Sequence, residues 1–161
     1  MRERADAFQT LDEMRDWIVR ASADWLLRKR FSMGMWNIES QRYLGGLGLH
    51  PREPDGWDVP AFSIGYWVRA SEQGRGYVTE VVRLLTAYVF EVLQAQRIEI
   101  VCDARNTRSI AVVERVGFVR EGRLRNLWRR ADGTLADEVV CCADSCRRVE
   151  WSMNIHRLPL L

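Results

Sequence analysis

Residues 61–69 read Ala-Phe-Ser-Ile-Gly-Tyr-Trp-Val-Arg, an apolar run of strand type, and the chain then turns through Gln73-Gly74-Arg75-Gly76-Tyr77 into a long helical pattern. A second strand-like run, 97–102, leads in the same way through Asn106-Thr107-Arg108-Ser109 into a shorter helix that stops at Gly117-Phe118. Two strands that each feed a helix restrict the fold to layered α/β arrangements. The turns between them carry chemistry as well. A glycine pair at a helix start exposes backbone N–H groups and the positive end of the helix dipole, which suits a phosphate. An Asn and a Ser at the head of the next helix place an amide and a hydroxyl beside it. Together they point to a phosphate-bearing ligand with an extended tail.

The rest of the chain fills in around this pair. Thr10-Leu11-Asp12-Glu13 has the form of a capping box, and apolar residues recur at helical spacing from Leu11 to Trp25, so 10–28 is expected to be an amphipathic helix. Residues 31–38 and 43–49 read as neighbouring strands joined through 39–42, and 51–60 as a loop whose Trp57 can cover a site. Gly65 inside the 61–69 strand suggests a bulge or a close backbone approach. The helix after the glycine turn is expected over 78–94, with Val81, Leu84 or Leu85, Tyr88, Val89 and Val92 on its buried face. A terminal hairpin is expected from 118–129 and 135–146, turning at Ala131-Asp132-Gly133. Strands alternating with helices, then a hairpin, indicate a single domain with a mixed α/β sheet and helices packed on it.

Composition narrows the function. The chain has 161 residues, 24 basic and 22 acidic side chains, and a formal net charge of +2, which argues against a nucleic-acid binder. No apolar run reaches membrane-spanning length, and the charged start Met1-Arg2-Glu3-Arg4 is unlike a secretory signal. Cys141, Cys142 and Cys146 crowd together, but Cys141 and Cys142 would face opposite sides of a strand, and His50 and His156 are the only histidines. Reduced structural thiols are the plain reading, with redox and metal roles as alternatives; no metal and a cytoplasmic location are expected.

The glycine turn alone is ambiguous. A Rossmann fingerprint needs a third glycine where Thr79 stands, and a Walker loop needs Gly-Lys-Ser/Thr. Taken in order, however, Tyr66-Trp67-Val68-Arg69, Gln73-Gly74-Arg75-Gly76-Tyr77-Val78-Thr79-Glu80, Asp103-Ala104-Arg105-Asn106-Thr107-Arg108-Ser109, Glu114-Arg115-Val116-Gly117-Phe118 and Glu121-Gly122 resemble the GNAT acetyltransferases, in particular the RimJ/RimL branch. The resemblance runs from about residue 31 to 144. It implies a mostly antiparallel central sheet with a splayed strand pair and flanking helices, and acetyl-CoA as co-substrate.

On that resemblance, strand 62–69 splays from strand 98–102 and the pantetheine arm of the cofactor pairs with backbone of the first strand, including Val68. Gln73, Gly74, Arg75, Gly76, Tyr77, Val78 and Thr79 would cradle the pyrophosphate, with Arg75 near a phosphate or simply solvated. Asn106 would hydrogen-bond the pantetheine, its plain alternative being a helix cap. Ser109 is the candidate general acid for the departing thiolate, because many relatives outside the branch carry a tyrosine where this chain has Val113. Backbone N–H groups of Tyr66, Trp67 and Val68 would stabilise the oxyanion. Glu39, His50, Asp55 and Asp58 are candidate bases, and Glu121 is assigned a structural role beside Gly122.

The resemblance also implies an N-terminal strand and helix ahead of Thr10, which this chain is expected to lack; a second copy pairing with that sheet edge, as a homodimer, is one arrangement. The expected function is transfer of an acetyl group from acetyl-CoA to a primary amine, either a protein N-terminus or a small amine, by direct attack in a ternary complex. A catalytically inactive CoA-binding or regulatory module of the same fold is the alternative, and a nucleotide-binding regulatory domain a third reading.

Overall fold

The computed structural model describes residues 10–52, 60–130 and 132–145. Helix α1, Leu11–Leu26, starts at the expected capping box: the Thr10 Oγ1 accepts from the Glu13 N–H, and the Glu13 carboxylate accepts from the Thr10 N–H. Strand β1, Phe31–Trp36, pairs antiparallel with β2, Tyr43–Pro51, through a connection in which the Asn37 Oδ1 accepts from both the N–H and the hydroxyl of Ser40. Strand β3, Ala61–Val68, pairs antiparallel with β2. A short 3₁₀ turn, Ala70–Glu72, leads to helix α2, Tyr77–Glu91. Strand β4, Arg97–Asp103, precedes helix α3, Thr107–Arg115, and the hairpin of β5, Val119–Arg129, and β6, Leu135–Asp144, completes the sheet.

The six strands lie in the order β1-β2-β3-β4-β6-β5. Every neighbouring pair is antiparallel except β3 and β4. This is the mixed, mostly antiparallel sheet expected from the sequence. The core includes Phe62, Ile98, Ile100, Val82, Val89, Val113, Val116 and Val139, each almost fully excluded from water. Burying such side chains is the main favourable contribution to folding. No helix among the described residues is long and apolar enough to cross a membrane.

Three expectations need correction. The buried stripe of α2 is Val82, Leu85, Thr86, Ala87 and Val89, whereas Tyr88 and Val92 are exposed. The stripe runs through Thr86 because its hydroxyl donates to the Val82 carbonyl at 2.7 Å, satisfying the polar atom within the helix. Of the two readings of Gly65, the bulge is not formed against β2: the β2–β3 register runs unbroken through Gly48 opposite Gly65. The third concerns the limits of several elements, which shift by one to three residues because their last turns and pairings stop where partners run out.

Buried charges are paired. Glu72, only 3% exposed, is bound by Arg42 at 3.0 Å and Arg75 at 3.5 Å. Glu99 is held by Arg97 and Arg52. Glu121 has the structural role assigned to it, forming a two-pronged pair with Arg97 at 3.0 and 2.6 Å. Cys141 and Cys142 are both buried free thiols, and burial together with Glu121 pushes the Cys142 thiol up to about 12. Cys146, Trp57, Asp55, Asp58 and the segment ahead of Thr10 lie outside the described residues.

Candidate active site

The parallel pairing of β3 with β4 covers only Ala61–Ser63 against Arg97–Glu99. Beyond it β4 continues to pair with β6 as far as Asp103, and β3 continues to pair with β2 as far as Val68, so the two strands part along their C-terminal halves. The result is a wedge whose β3 edge presents unpaired backbone groups. Such an edge accepts an extended chain by the same hydrogen bonds that build a sheet. Tyr66, Trp67 and Val68 lie along it, with Trp67 44% exposed.

At the open end of the wedge stands the glycine turn. Gly74 has φ 76° and Gly76 φ 85°, a left-handed conformation that side chains with a Cβ rarely adopt. A Cβ built on either meets no atom within 4 Å, so the turn opens on free space. Gly76 is the N-cap of α2 and supplies no side-chain cap. The helix ladder begins with the Glu80 N–H donating to the Gly76 carbonyl at 3.0 Å, leaving the N–H groups of Tyr77, Val78 and Thr79 without intrahelical acceptors. Donors and dipole therefore converge on the mouth of the wedge, as an anion requires.

Gln73 has a role the sequence does not announce. Its Oε1 accepts from the Arg108 guanidinium at 2.7 Å, which ties the glycine turn to the first turn of α3 across the mouth. Arg75 is turned to Glu72. Asn106 is a helix cap, its Oδ1 accepting from the Ser109 N–H at 3.0 Å, which leaves its Nδ2 protons for a ligand. Ser109 then sits inside the wedge. Its Oγ lies 2.7 Å from the Tyr66 hydroxyl and 3.1 Å from the Cys102 Sγ. Val113 is fully buried and takes no part.

Three groups here were not singled out from the sequence. The Tyr66 phenol was one, because only its backbone had been assigned a role; alternation along β3 places it on the same face as buried Phe62 and Ile64, which was the available signal. Burial raises its pKa above the usual tyrosine value. Cys102 is the second, and burial likewise pushes its thiol up. Glu138 is the third; it lies opposite Asp103 in the β4–β6 ladder, near enough to Cys102 to raise that thiol further, and accepts from the Trp128 indole N–H at 3.0 Å. Only strand register brings it there.

Of the candidate bases, His50 and Glu39 are placed outside the wedge. His50 lies on β2 opposite Ser63, and burial, then the Arg30 guanidinium, lowers its pKa to about 4, so its imidazole is neutral but a weak proton acceptor. Glu39 borders a shallow pocket with Arg42, Glu72, Arg75 and Tyr77 beside the glycine turn. On the other flank, Trp17, Ile18, Ala21 and Trp25 of α1 face Met33, Gly34 and Tyr43 across an open trough. Trp36, Tyr43 and Trp67 form a continuous aromatic series, with centroids 5.0 and 5.8 Å apart. The Trp67 ring lies against Gly46, where a Cβ would collide with it.

No group of three or more metal-binding side chains occurs among the described residues. Comparison with known proteins agrees with the geometry. "Probable N-acetyltransferase YjcK" of Bacillus subtilis (strain 168) is 32% identical over 122 residues, 76% of this chain and 66% of that protein. "Ribosomal-protein-serine acetyltransferase" of Escherichia coli (strain K12) is 34% identical over 62 residues, 38% of this chain and 35% of that protein. Matches to curated relatives span from 34% to 66% of those proteins' lengths. A crystal structure described as "Probable acetyltransferase" superposes with a TM-score of 0.76 at 26% identity, over 85% of this chain and 75% of the other. The "Microcin C7 self immunity acetyltransferase MccE in complex with Acetyl-CoA and AMP" superposes with a TM-score of 0.72 at 22% identity, over 84% of this chain and 72% of the other, and shares the fold. A family model, the "Acetyltransferase (GNAT) domain", matches residues 2–119, and the chain belongs to that family.

Proposed function

We propose that this protein is an N-acetyltransferase that moves an acetyl group from acetyl-CoA to a primary amine. The observation that carries the reading is the wedge between β3 and β4, ended by a glycine turn whose amides have no partner in the helix. An extended, phosphate-bearing acyl donor has the shape and charge for it, and a solved protein of this fold is described in complex with acetyl-CoA. The fit is supported by the open space above Gly74 and Gly76, which a side chain would fill. The bound thioester supplies an activated acetyl group.

The chain's own residues would then act as follows. The β3 edge holds the pantetheine in extended form, and N–H groups of residues 66–68 stabilise the developing oxyanion. Amides of Gly74 to Thr79 bind the pyrophosphate, while the Gln73–Arg108 contact keeps the turn and α3 in register. Asn106 offers Nδ2 to the pantetheine amide. Ser109, inside the wedge, donates to the departing sulfur. Positioning of amine against carbonyl provides much of the acceleration, a contribution of about 7–11 kcal/mol at best. Proton removal from the incoming amine falls to water or to a carboxylate such as Glu138, which strand register places opposite Asp103.

The acceptor is a primary amine, and a protein N-terminus is the leading class, since one relative bears the name ribosomal-protein-serine acetyltransferase. Calorimetry with acetyl-CoA, followed by thiol release against peptides with N-terminal Ser or Ala and against spermidine, tests both halves. Micromolar acetyl-CoA binding and turnover of at least one amine are expected. Binding without turnover on any amine would favour an inactive CoA-binding module; absence of binding would sink the reading.

A further inference from the structure

We infer that the Tyr66 hydroxyl is a positioning group that fixes Ser109 as a hydrogen-bond donor aimed into the wedge, a proposal that rests on the acetyl-CoA reading above. Tyr66 lies on the part of β3 that no longer pairs with β4, and its side chain crosses the gap to the first turn of α3. Among the described residues it is the side chain of β3 that hydrogen-bonds to α3. The phenol oxygen lies 2.7 Å from the Ser109 Oγ and 3.3 Å from the Ser109 carbonyl. An O–H···O bond is normally about 2.5–3.0 Å, so the hydroxyl oxygen and not the carbonyl is the effective partner.

The direction of that bond follows from chemistry. A phenol is the stronger acid and the better donor, an aliphatic hydroxyl the better acceptor, and burial keeps the phenol protonated. Either oxygen can donate across this contact; the difference in acidity favours Tyr66 as the donor, which leaves Ser109 its own proton to place elsewhere. In this structure its second neighbour is sulfur, the Cys102 Sγ at 3.1 Å. The backbone of Ser109 is held separately, through its N–H to Asn106 Oδ1. A serine whose lone pair is occupied by a phenol is also a stronger donor, since chained hydrogen bonds polarise one another.

In the transfer, the amine nitrogen forms the new bond to the acetyl carbon and the C–S bond breaks, its electron pair leaving on sulfur. Ser109 donates a hydrogen bond to that sulfur as charge builds. The proton shed by the amine, one per turnover, is the one the free thiol finally carries by way of solvent. Neither Ser109 nor Tyr66 needs to ionise.

The test is a double-mutant cycle read by acetyl-CoA thiol release with the amines named above. Tyr66→Phe keeps the ring and removes the oxygen. Its kcat is expected to fall by roughly tenfold or more, with the acetyl-CoA dissociation constant within about twofold of wild type. In a Ser109→Ala background the same change is expected to cost nothing further, because its target is gone. Replacing Tyr66 by 3-fluorotyrosine, which retains the hydroxyl, is expected to preserve the rate and guards against a folding artefact. An unchanged kcat in Tyr66→Phe, an equal loss in the Ser109→Ala background, or a matching loss with fluorotyrosine overturns the proposal. A wild type that releases no thiol with any amine overturns the acetyltransferase reading, and this one with it.

Discussion

Helices α1 and α2 are nearly the same length, 16 and 15 residues, and each carries an apolar stripe, yet they end in opposite situations. α2 buries five residues against the sheet; α1 buries none, and Leu26 is 82% exposed. The difference lies in what each helix connects. α2 is the crossover between the parallel strands β3 and β4, and a crossover must lie on a sheet face. α1 precedes an edge strand, and only one side of it faces β1. An apolar stripe therefore states what a helix can bury; topology decides whether it does.

Substitutions in the two regions should break or sharpen this contrast. Phe62→Ala, beneath α2 in the core, is expected to cost about 3–5 kcal/mol in chemical denaturation, enough to threaten folding. A loss below 1 kcal/mol would show that the α2 side is no better packed than α1. Gly76→Val acts at the head of α2. It forces a branched residue into a left-handed conformation, costing about 1–2 kcal/mol, and fills the space above the turn, so acetyl-CoA affinity should drop by about a hundredfold or more. Native-like affinity in calorimetry would remove the turn from the donor site.

A smaller effect is expected from His50 on β2, between the two regions. Its folded pKa of about 4 lies below the unfolded value of about 6.5, so the unfolded chain takes up the proton first. The stability associated with neutral His50 is thus complete above about pH 6.5 and lost as pH falls toward 4. His50→Gln should flatten that part of the stability profile; an unchanged slope would assign the acid sensitivity to other groups. Least of all, Leu26→Ala on α1 should alter stability by no more than about 0.5 kcal/mol. A shift of several degrees in the unfolding midpoint would show that the α1 face is covered in solution.

Much of the candidate donor site was legible because its signals are local. Gly74 and Gly76 require positive φ, Thr10 and Glu13 make their capping box within one turn, and Asn106 caps the helix that carries Ser109. Each is decided by residues within a few positions of one another. The side-chain contact of Tyr66 was not legible beside its expected backbone role, since its partner lies 43 positions away. Glu138 and the Gln73–Arg108 tie were missed for the same reason: register and crossover geometry place them, and neither leaves a pattern in the chain. The face of α2 was misread because Thr86 counts as polar in sequence, though its hydroxyl is satisfied inside the helix.

The sequence by itself determined the alternation of strands and helices, the caps, the positive-φ glycine turn and the family, because these depend on local dihedral preference, hydrogen bonding and periodicity. Only the tertiary structure decided where β3 and β4 part, that Tyr66 reaches Ser109 across that gap, and that burial with the nearby Arg30 guanidinium holds the His50 imidazole below its usual range. Those outcomes depend on burial and on distances between residues remote in the chain, quantities that no short stretch of sequence contains.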